Sequence, residues 1–443
     1  MESSTELTIA ENRQLEAWKE PDWQDLDGVF SKDLDDLARV TKALVRGREL
    51  KGAAILLRLI LAYAVCDWSL RLVGAWATIQ GLAYLSDVAL LYRFRQAQRF
   101  VGMLVLRVIQ QHNAHLTQLD GVRLRLVDAM VISAEGSQGT DWRMHTSLDL
   151  GAMCMDGVTL SDAHTGESLA HFPVRGEEIY VADRGHAFAS GLGALLGVGA
   201  WLVVRMNWHN LPLKTDLGQR LSLIHWLQTL SHTSERRVTI PTPQGDFHLR
   251  LIARPLPPKE AQQARDRVVK QARKKGKPVS SNTLLAAGFV LLLTNLPAQT
   301  WEASRVAWLY RLRWQIELHF KRLKSLLHFD HLRAHDPRLV QTYLLGKLLA
   351  ALLLDQLVQE TEAQVPDWFA STTHPVSLWR LSGLLWASLR DWVVGRFSLQ
   401  RILVALPLLR RYLCDPPRAR SQQLAWARHV LHRLNPAVVL FAC

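Results

Sequence analysis

Tyr310, Arg313, Glu317 and Lys324 set a phenol, a guanidinium, a carboxylate and an ammonium along one short stretch of chain. At about 100° per residue they project at roughly 0°, 300°, 340° and 320°, a stripe about 60° wide on a helix. The stretch from Tyr310 to Lys324 has no Pro or Gly and is rich in Leu and Arg, so a helix is expected. A carboxylate can ligate a metal ion, and the three donors beside it can grip a phosphate. The same spacing also describes something plainer. Arg313, Glu317 and Lys321 at i, i+4 steps could form a surface ion-pair ladder worth roughly 0.2–0.5 kcal/mol per pair.

Two further acids sit where strands are expected. Val122–Ser133 alternates as Leu124, Leu126, Asp128 and Met130, so Asp128 falls on an otherwise apolar face, where a carboxylate is costly without a positive partner. Asp183 ends the apolar strand Ile179–Ala182 and opens Asp-Arg-Gly-His just before a helix. Acids at strand ends build active sites, and they also serve as caps. A set of three such carboxylates suits two-metal phosphoryl transfer, in which acids hold two Mg²⁺ ions about 3.5–4 Å apart.

Several elements must position these groups. Strands are also expected at Arg143–Leu150, Val158–Asp162, Val238–Thr242, Phe247–Ala253 and Phe289–Thr294. A helix from about Trp301 then carries the Tyr310–Lys324 stripe. Upstream, Ser69–Gln80, Gly81 and Ser86–Gln98 suggest helix, turn, helix, with Ser86 as N-cap and Arg93, Arg95 and Arg99 along the second helix. The expected organisation is an acidic arm (1–36), a helical N-terminal domain (37–118), the first part of an α/β core (119–206), and a mostly β insertion with a basic segment at Lys259–Lys277 (207–288). The second part of the core follows (289–335), then a helical C-terminal region (336–443). No internal repeat is evident.

Charge points to the partner. The chain of 443 residues carries a net +13, but residues 1–36 hold eleven acids against three bases, −8, which leaves +21 on residues 37–443. Such a basic body favours a polyanion, most simply nucleic acid. Cys66, Cys154, Cys414 and Cys443 are far apart with no CxxC pair, which argues against zinc and against a disulfide framework and fits a reducing cytoplasm. The acidic N-terminus has no signal-peptide core. Ala187–Val204 reaches the length of a membrane span, but Gly191, Gly193, Gly197 and Gly199 crowd it. It reads instead as a short helix, a glycine break and a strand. The runs at Ile55–Cys66 and Leu348–Leu354 read as buried core helices.

Tyr310-x2-Arg313-x3-Glu317-x6-Lys324 resembles the Tyr-Arg-Glu-Lys signature of the insertion-sequence-4 family of DDE transposases. Leu-Leu-Leu-Thr-Asn, Arg-Trp-Gln-Ile-Glu and Val-Ala-Asp183-Arg-Gly-His are similar to that family as well, and the resemblance spans about residues 120–335. It implies an RNase H-like catalytic core in which Asp128, Asp183 and Glu317 bind Mg²⁺, with Mn²⁺ able to substitute. It also implies that Tyr310, Arg313 and Lys324 contact phosphates near the cleaved transposon end, with Trp314 at a base-stacking position and Arg184 beside the second acid as a further DNA contact. The implied activity is cut-and-paste transposition by a homodimer acting on transposon ends and target DNA, in the bacterial cytoplasm and away from any membrane. A catalytically inactive DNA-binding relative and a nuclease without strand transfer are the alternatives. Two departures stand out. Ala129-Met130 follows the first acid where relatives usually carry Thr or Ser. Val290, beside Phe289, stands where one branch of the family holds a flipped base with tryptophan.

Overall fold

The computed structural model describes Trp23, Phe30 and residues 33–47, 49–114, 123–137, 139–370 and 376–395, together with Val404, Ala405, Leu408, Leu409 and Tyr412. The acidic arm expected at 1–36, and the part of the C-terminal region beyond 395, lie almost wholly outside the described residues, as do Cys414 and Cys443. The chain divides into two compact units: residues 1–101, 341–346 and 390–443 in one, and residues 102–340 and 347–389 in the other.

The first unit is helical. It holds α1 (Leu34–Val40), α2 (Ala53–Val65), α3 (Leu70–Ile79), α4 (Asp87–Gln96) and the start of α5 (Gln98–Ala114). Ser69 caps α3 by accepting from the Leu72 N–H, and Ser86 caps α4 by accepting from the Ala89 N–H at 3.1 Å. Arg58, the one charge within the apolar run of α2, donates to the Val393 carbonyl at 2.8 Å while its guanidinium lies over Trp76. The run is thus a core helix that satisfies its cation internally.

The second unit is built on one mixed sheet. Its strands are β1 (Leu124–Ala134), β2 (Trp142–Asp149), β3 (Cys154–Asp162), β4 (Ile179–Ala182), β5 (Trp201–Arg205), β6 (Ser234–Thr242), β7 (Gly245–Pro255), β8 (Phe289–Thr294) and β9 (His331–Leu332). The spatial order is β3-β2-β1-β4-β5-β8-β7-β6, with β9 pairing β1. β1, β4 and β5 are parallel neighbours and the remaining long pairings are antiparallel. The β6–β7 hairpin, read from sequence as part of an insertion, pairs with β8 and continues the central sheet.

Alternation along the strands gives the sheet two faces. One buries Val127, Tyr180, Ala182, Leu202, Val204, Val238, Ile240, Leu249, Leu251 and Leu293 in a single apolar cluster, covered partly by α6 (Ala189–Leu196). The glycines of Ala187–Val204 have a packing reason here. A Cβ at Gly193 would run into Thr242 and Gln244 of the hairpin, and one at Gly191 would meet the Leu169 backbone at 3.0 Å. This stretch is therefore α6 followed by β5, as expected, with Gly199 at φ +78° in the turn between them.

α7 (Leu223–Gln228), α8 (Pro258–Lys274) and α9 (Ser281–Ala287) follow in chain order. The other face of the sheet receives α10 (Ala303–Leu312), against β4 and β5, and α11 (Trp314–Leu327), against β1. α11 buries Ile316, Phe320, Leu323 and Leu327, a 4-3-4 spacing that makes one apolar stripe. Each such side chain contributes about 1.5–3 kcal/mol on burial. The single helix expected from Trp301 onward is in fact broken at Arg313. The Arg313 N–H bonds the Tyr310 carbonyl, and the Ile316 N–H bonds the Arg313 carbonyl, both three residues back. This tight turn offsets the two helices, so the stripe computed for a straight helix holds within α11 and is displaced at Tyr310.

α12 (Pro337–Gln364) is capped by Asp336, which accepts from the Leu339 N–H at 3.0 Å. Among the described residues it is the one helix long and apolar enough to cross a membrane by length and composition, but 78% of its apolar window is buried inside the protein. Leu348–Leu354 therefore belong to a core, as expected. α13 (Pro366–Ala370) and α14 (Leu378–Val394) complete the described helices.

Candidate active site

The strand register brings the two aspartates together. β1 and β4 are parallel, with Leu124 opposite Ile179, Leu126 opposite Val181 and Val127 opposite Ala182. One further step sets Asp128 beside Asp183, both on the face of Leu126 and Val181 that α10 and α11 cover. Between β4 and β5 the register runs Val181 to Val203 and Ala182 to Val204. The same step sets Arg205 on the other side of Asp183.

Local chain geometry then orients each carboxylate. Asp128 Oδ1 accepts its following backbone N–H, from Ala129, at 2.8 Å. Asp183 caps a 3₁₀ turn, Arg184–His186, and its Oδ1 accepts from the Gly185 N–H at 2.8 Å. Side chains three residues apart eclipse in a 3₁₀ turn. His186 accordingly folds back over Asp183, with Nδ1 3.2 Å from Oδ1.

Potential ligand atoms of Asp128, Asp183 and His186 all lie within 4.8 Å of one another. Glu317 stands outside this group. Its carboxylate is bound by the Arg313 guanidinium, which also donates to Asp128 Oδ2 at 3.3 Å and lies 5.8 Å from the centre of the Tyr310 ring. Thus Asp128, Asp183, Arg313, Glu317 and Tyr310, spread over nearly two hundred residues of sequence, come together at one place.

The remaining candidates are more peripheral. Lys324 is half-buried on α11, and among the described residues it makes no ion pair. Trp314 is 57% exposed at the start of α11, and Arg184 is exposed beside Asp183. Of the ladder drawn from spacing, only the Arg313–Glu317 rung forms. Lys321 turns away, and its ammonium lies 5.6 Å from the centre of the Trp379 ring.

Burial and charge split the two aspartates. Burial, and next the neighbouring Asp183 charge, push the Asp128 carboxyl up to about 6, against the pull of the Ala129 N–H, His186 and Arg313. Burial also works to raise Asp183. The hydrogen bond and charge of His186, the Gly185 N–H and Arg313 outweigh it and hold that carboxyl below its ordinary value. For Arg313, burial opposes the charge, but Tyr310, Glu317 and Asp128 raise its pKa above the usual value, so it remains a cation.

The donor set fits a hard divalent ion. Asp128, Asp183 and Glu317 carry three negative charges and Arg313, paired with Asp128 and Glu317, returns one, which leaves −2 over the cluster. Two carboxylates and an imidazole within 4.8 Å offer oxygen and nitrogen ligands to such an ion.

A cleft of about 390 Å³ opens from this cluster, lined by Asp183, Arg184, Arg205, Arg267, Tyr310 and Arg313 among others. Asn207, Trp208, His209 and Phe289 add hydrogen-bonding and aromatic surface. α8 supplies Ala264, Arg267, Val268 and Gln271 to the wall, one helical face of the basic segment at Lys259–Lys277. Four guanidiniums beside aromatic rings suit a nucleic-acid backbone and its bases.

Sequence reasoning missed His186, Arg205, Arg267 as a cleft residue, and Trp208. The i, i+3 spacing of Asp183 and His186 around a glycine was a usable sign of the first. The others depend on strand order and helix packing, which leave no local trace. Thr146 was missed too. It stands directly across β2 from Asp128, is buried, and its hydroxyl has no hydrogen-bond partner among the described residues. A hydroxyl thus borders Asp128 although Ala129 and Met130 provide none.

A family model described as "Transposase DDE domain" matches residues 123–353. The putative transposase InsL of insertion sequence element IS186A from Escherichia coli K12 is 41% identical over 336 residues, covering 74% of this chain and 91% of that protein. The transposase of insertion sequence element IS421 from Escherichia coli is 41% identical over 337 residues, with the same coverage of both chains. The transposase of IS231F from Bacillus thuringiensis subsp. israelensis is 34% identical over 104 residues, 24% of this chain and 22% of that one.

Proposed function

The chain belongs to the DDE transposase family, and on that premise we propose that it is a cut-and-paste transposase of the insertion-sequence-4 branch, with the Tyr-Arg-Glu-Lys signature in Tyr310, Arg313, Glu317 and Lys324. The fold is α/β with an RNase H-like core, and the family acts on DNA with divalent metal ions. The observation that carries the finer reading is the meeting of Asp128 and Asp183 on adjacent parallel strands with Arg313 and Glu317 from the helices above them.

In this reading Asp128, Asp183 and Glu317 hold Mg²⁺, or Mn²⁺ in its place. A divalent ion bound there supplies Lewis acidity to an attacking water or 3′-hydroxyl and neutralises charge on the leaving oxygen. Arg313 and Tyr310 orient the scissile phosphate at the mouth of the cleft, the guanidinium through paired hydrogen bonds and the phenol as a single donor. Lys324 adds a point charge further along α11. Arg184 tracks the backbone beside Asp183, and exposed Trp314 offers a stacking surface to an unpaired base.

The wider organisation is part of the same proposal. Residues 37–118 bind the transposon end, and 336–443 bring two copies together so that both ends react in one complex. The protein works in the cytoplasm, on the nucleoid. Supercoiled plasmid carrying the DNA that flanks the coding region, incubated with the protein and Mg²⁺, is expected to yield nicks at the element ends and joined strand-transfer products. Nicks without joined products would leave a nuclease, and binding without nicks an inactive relative.

A further inference from the structure

We infer that His186 is a nitrogen ligand of the divalent ion held by Asp128 and Asp183, and that it biases the site toward Mn²⁺ over Mg²⁺. The inference rests on the metal-centre reading of these acids and adds a residue and an ion preference to it. His186 is the third member of the only compact group of potential metal ligands among the described residues, and its side chain is fully buried. Nδ1 lies 3.2 Å from Asp183 Oδ1, and Nε2 is buried with no hydrogen-bond partner among the described residues.

The chain fixes this direction. Asp183 and His186 eclipse across the 3₁₀ turn, and Phe172 lies against the imidazole with ring centres 6.1 Å apart. Charge favours ligation as well. The three carboxylates of the cluster and Arg313 sum to −2, and a neutral imidazole adds a donor without altering the match to a dication. Mg²⁺ prefers an all-oxygen octahedron and retains its waters, whereas Mn²⁺ accepts imidazole nitrogen more readily.

The test uses the full-length protein and Mn²⁺ alone. Electron paramagnetic resonance titration measures the bound ion, and electron spin-echo envelope modulation reads nitrogen coupled to it. The expected result is ¹⁴N modulation in the wild type, replaced by a ¹⁵N pattern when histidine is selectively ¹⁵N-labelled. His186→Gln, checked for folding by its circular dichroism melt in EDTA, should lose the modulation. It should bind Mn²⁺ about tenfold more weakly while Mg²⁺ competition changes less than about twofold. Bound Mn²⁺ without nitrogen modulation in the wild type would overturn the inference and leave the acids as metal ligands; this readout needs no variant to fold. No Mn²⁺ binding at all would overturn the metal-centre reading, and the inference with it.

Discussion

Arg313 and Asp128 meet across the site, the guanidinium donating to Oδ2 at 3.3 Å while its other arm binds Glu317. One cation thus joins the strand-borne acid to the helix-borne acid. A lone positive charge a few ångströms from a metal position repels a dication by about 1 kcal/mol or more, even well screened. Arg313→Ala is therefore expected to bind Mn²⁺ several-fold more tightly yet cleave DNA at least about a hundredfold more slowly, because the phosphate loses its orienting fork. Isothermal titration and a nicking assay measure the two effects, and their opposite signs separate a clamp from a simple structural ion pair.

The raised Asp128 carboxyl makes metal binding sensitive to pH. With its pKa at about 6, protons compete with a cation for this group well above the usual carboxylate range. In the metal-free protein the sign follows from proton uptake. Between roughly pH 4 and 6 the folded state holds a proton that the unfolded state has lost, so the Asp128 contribution to stability falls as pH rises. Divalent ions relieve that cost by pairing with the charged form. The shift in melting temperature on adding Mn²⁺ should be small at pH 5 and larger by pH 7.5; a shift of equal size at both would count against Asp128 as a ligand.

How much of this was legible beforehand depends on how local each feature is. The strand Phe289–Thr294, the N-cap at Ser86, the buried stretch Leu348–Leu354 and the helix–break–strand reading of Ala187–Val204 all follow from patterns inside short windows. The burial of Asp128 on an apolar face was readable from alternation alone. The sheet order was not: pairing of β7 with β8 joins residues some forty positions apart, and nothing near Leu251 announces Leu293 as its partner. The turn at Arg313 was missed because its sequence is a good helix throughout, and the long-range contact Arg313 makes there, to Asp128, leaves no local trace. His186 was passed over because a 100° step is the wrong period for a 3₁₀ turn.

Cleft arginines outside the signature should contribute to DNA affinity. Arg205 and Arg267 line the same cleft as Arg313, from β5 and α8. Arg205→Ala and Arg267→Ala are each expected to weaken DNA binding severalfold, about equally for cognate and unrelated sequences. Each should also reduce the slope of log affinity against log salt by about 1, as the loss of one phosphate contact does. Fluorescence anisotropy across a salt series reads both quantities.

α12 should behave as a core helix. Leu349 and Leu352 are fully buried within it. Leu352→Ala is expected to lower unfolding free energy by about 2–5 kcal/mol in detergent-free buffer, the usual cost of a cavity in a packed core. Denaturant unfolding followed by circular dichroism gives the value. A change below about 0.5 kcal/mol would mean that this face is not packed as described.

The most direct test of the central claim, that Asp128, Asp183 and Glu317 form one metal-dependent cleavage centre, is strand nicking of DNA carrying the element ends, in Mg²⁺, by wild type and by Asp183→Asn. Asparagine keeps the size of the side chain and its capping oxygen but removes the charge. Nicking by the variant should fall by at least about a thousandfold, of order 4 kcal/mol in the barrier, while binding of the same DNA changes little. Cleavage by Asp183→Asn at the wild-type rate would contradict the account.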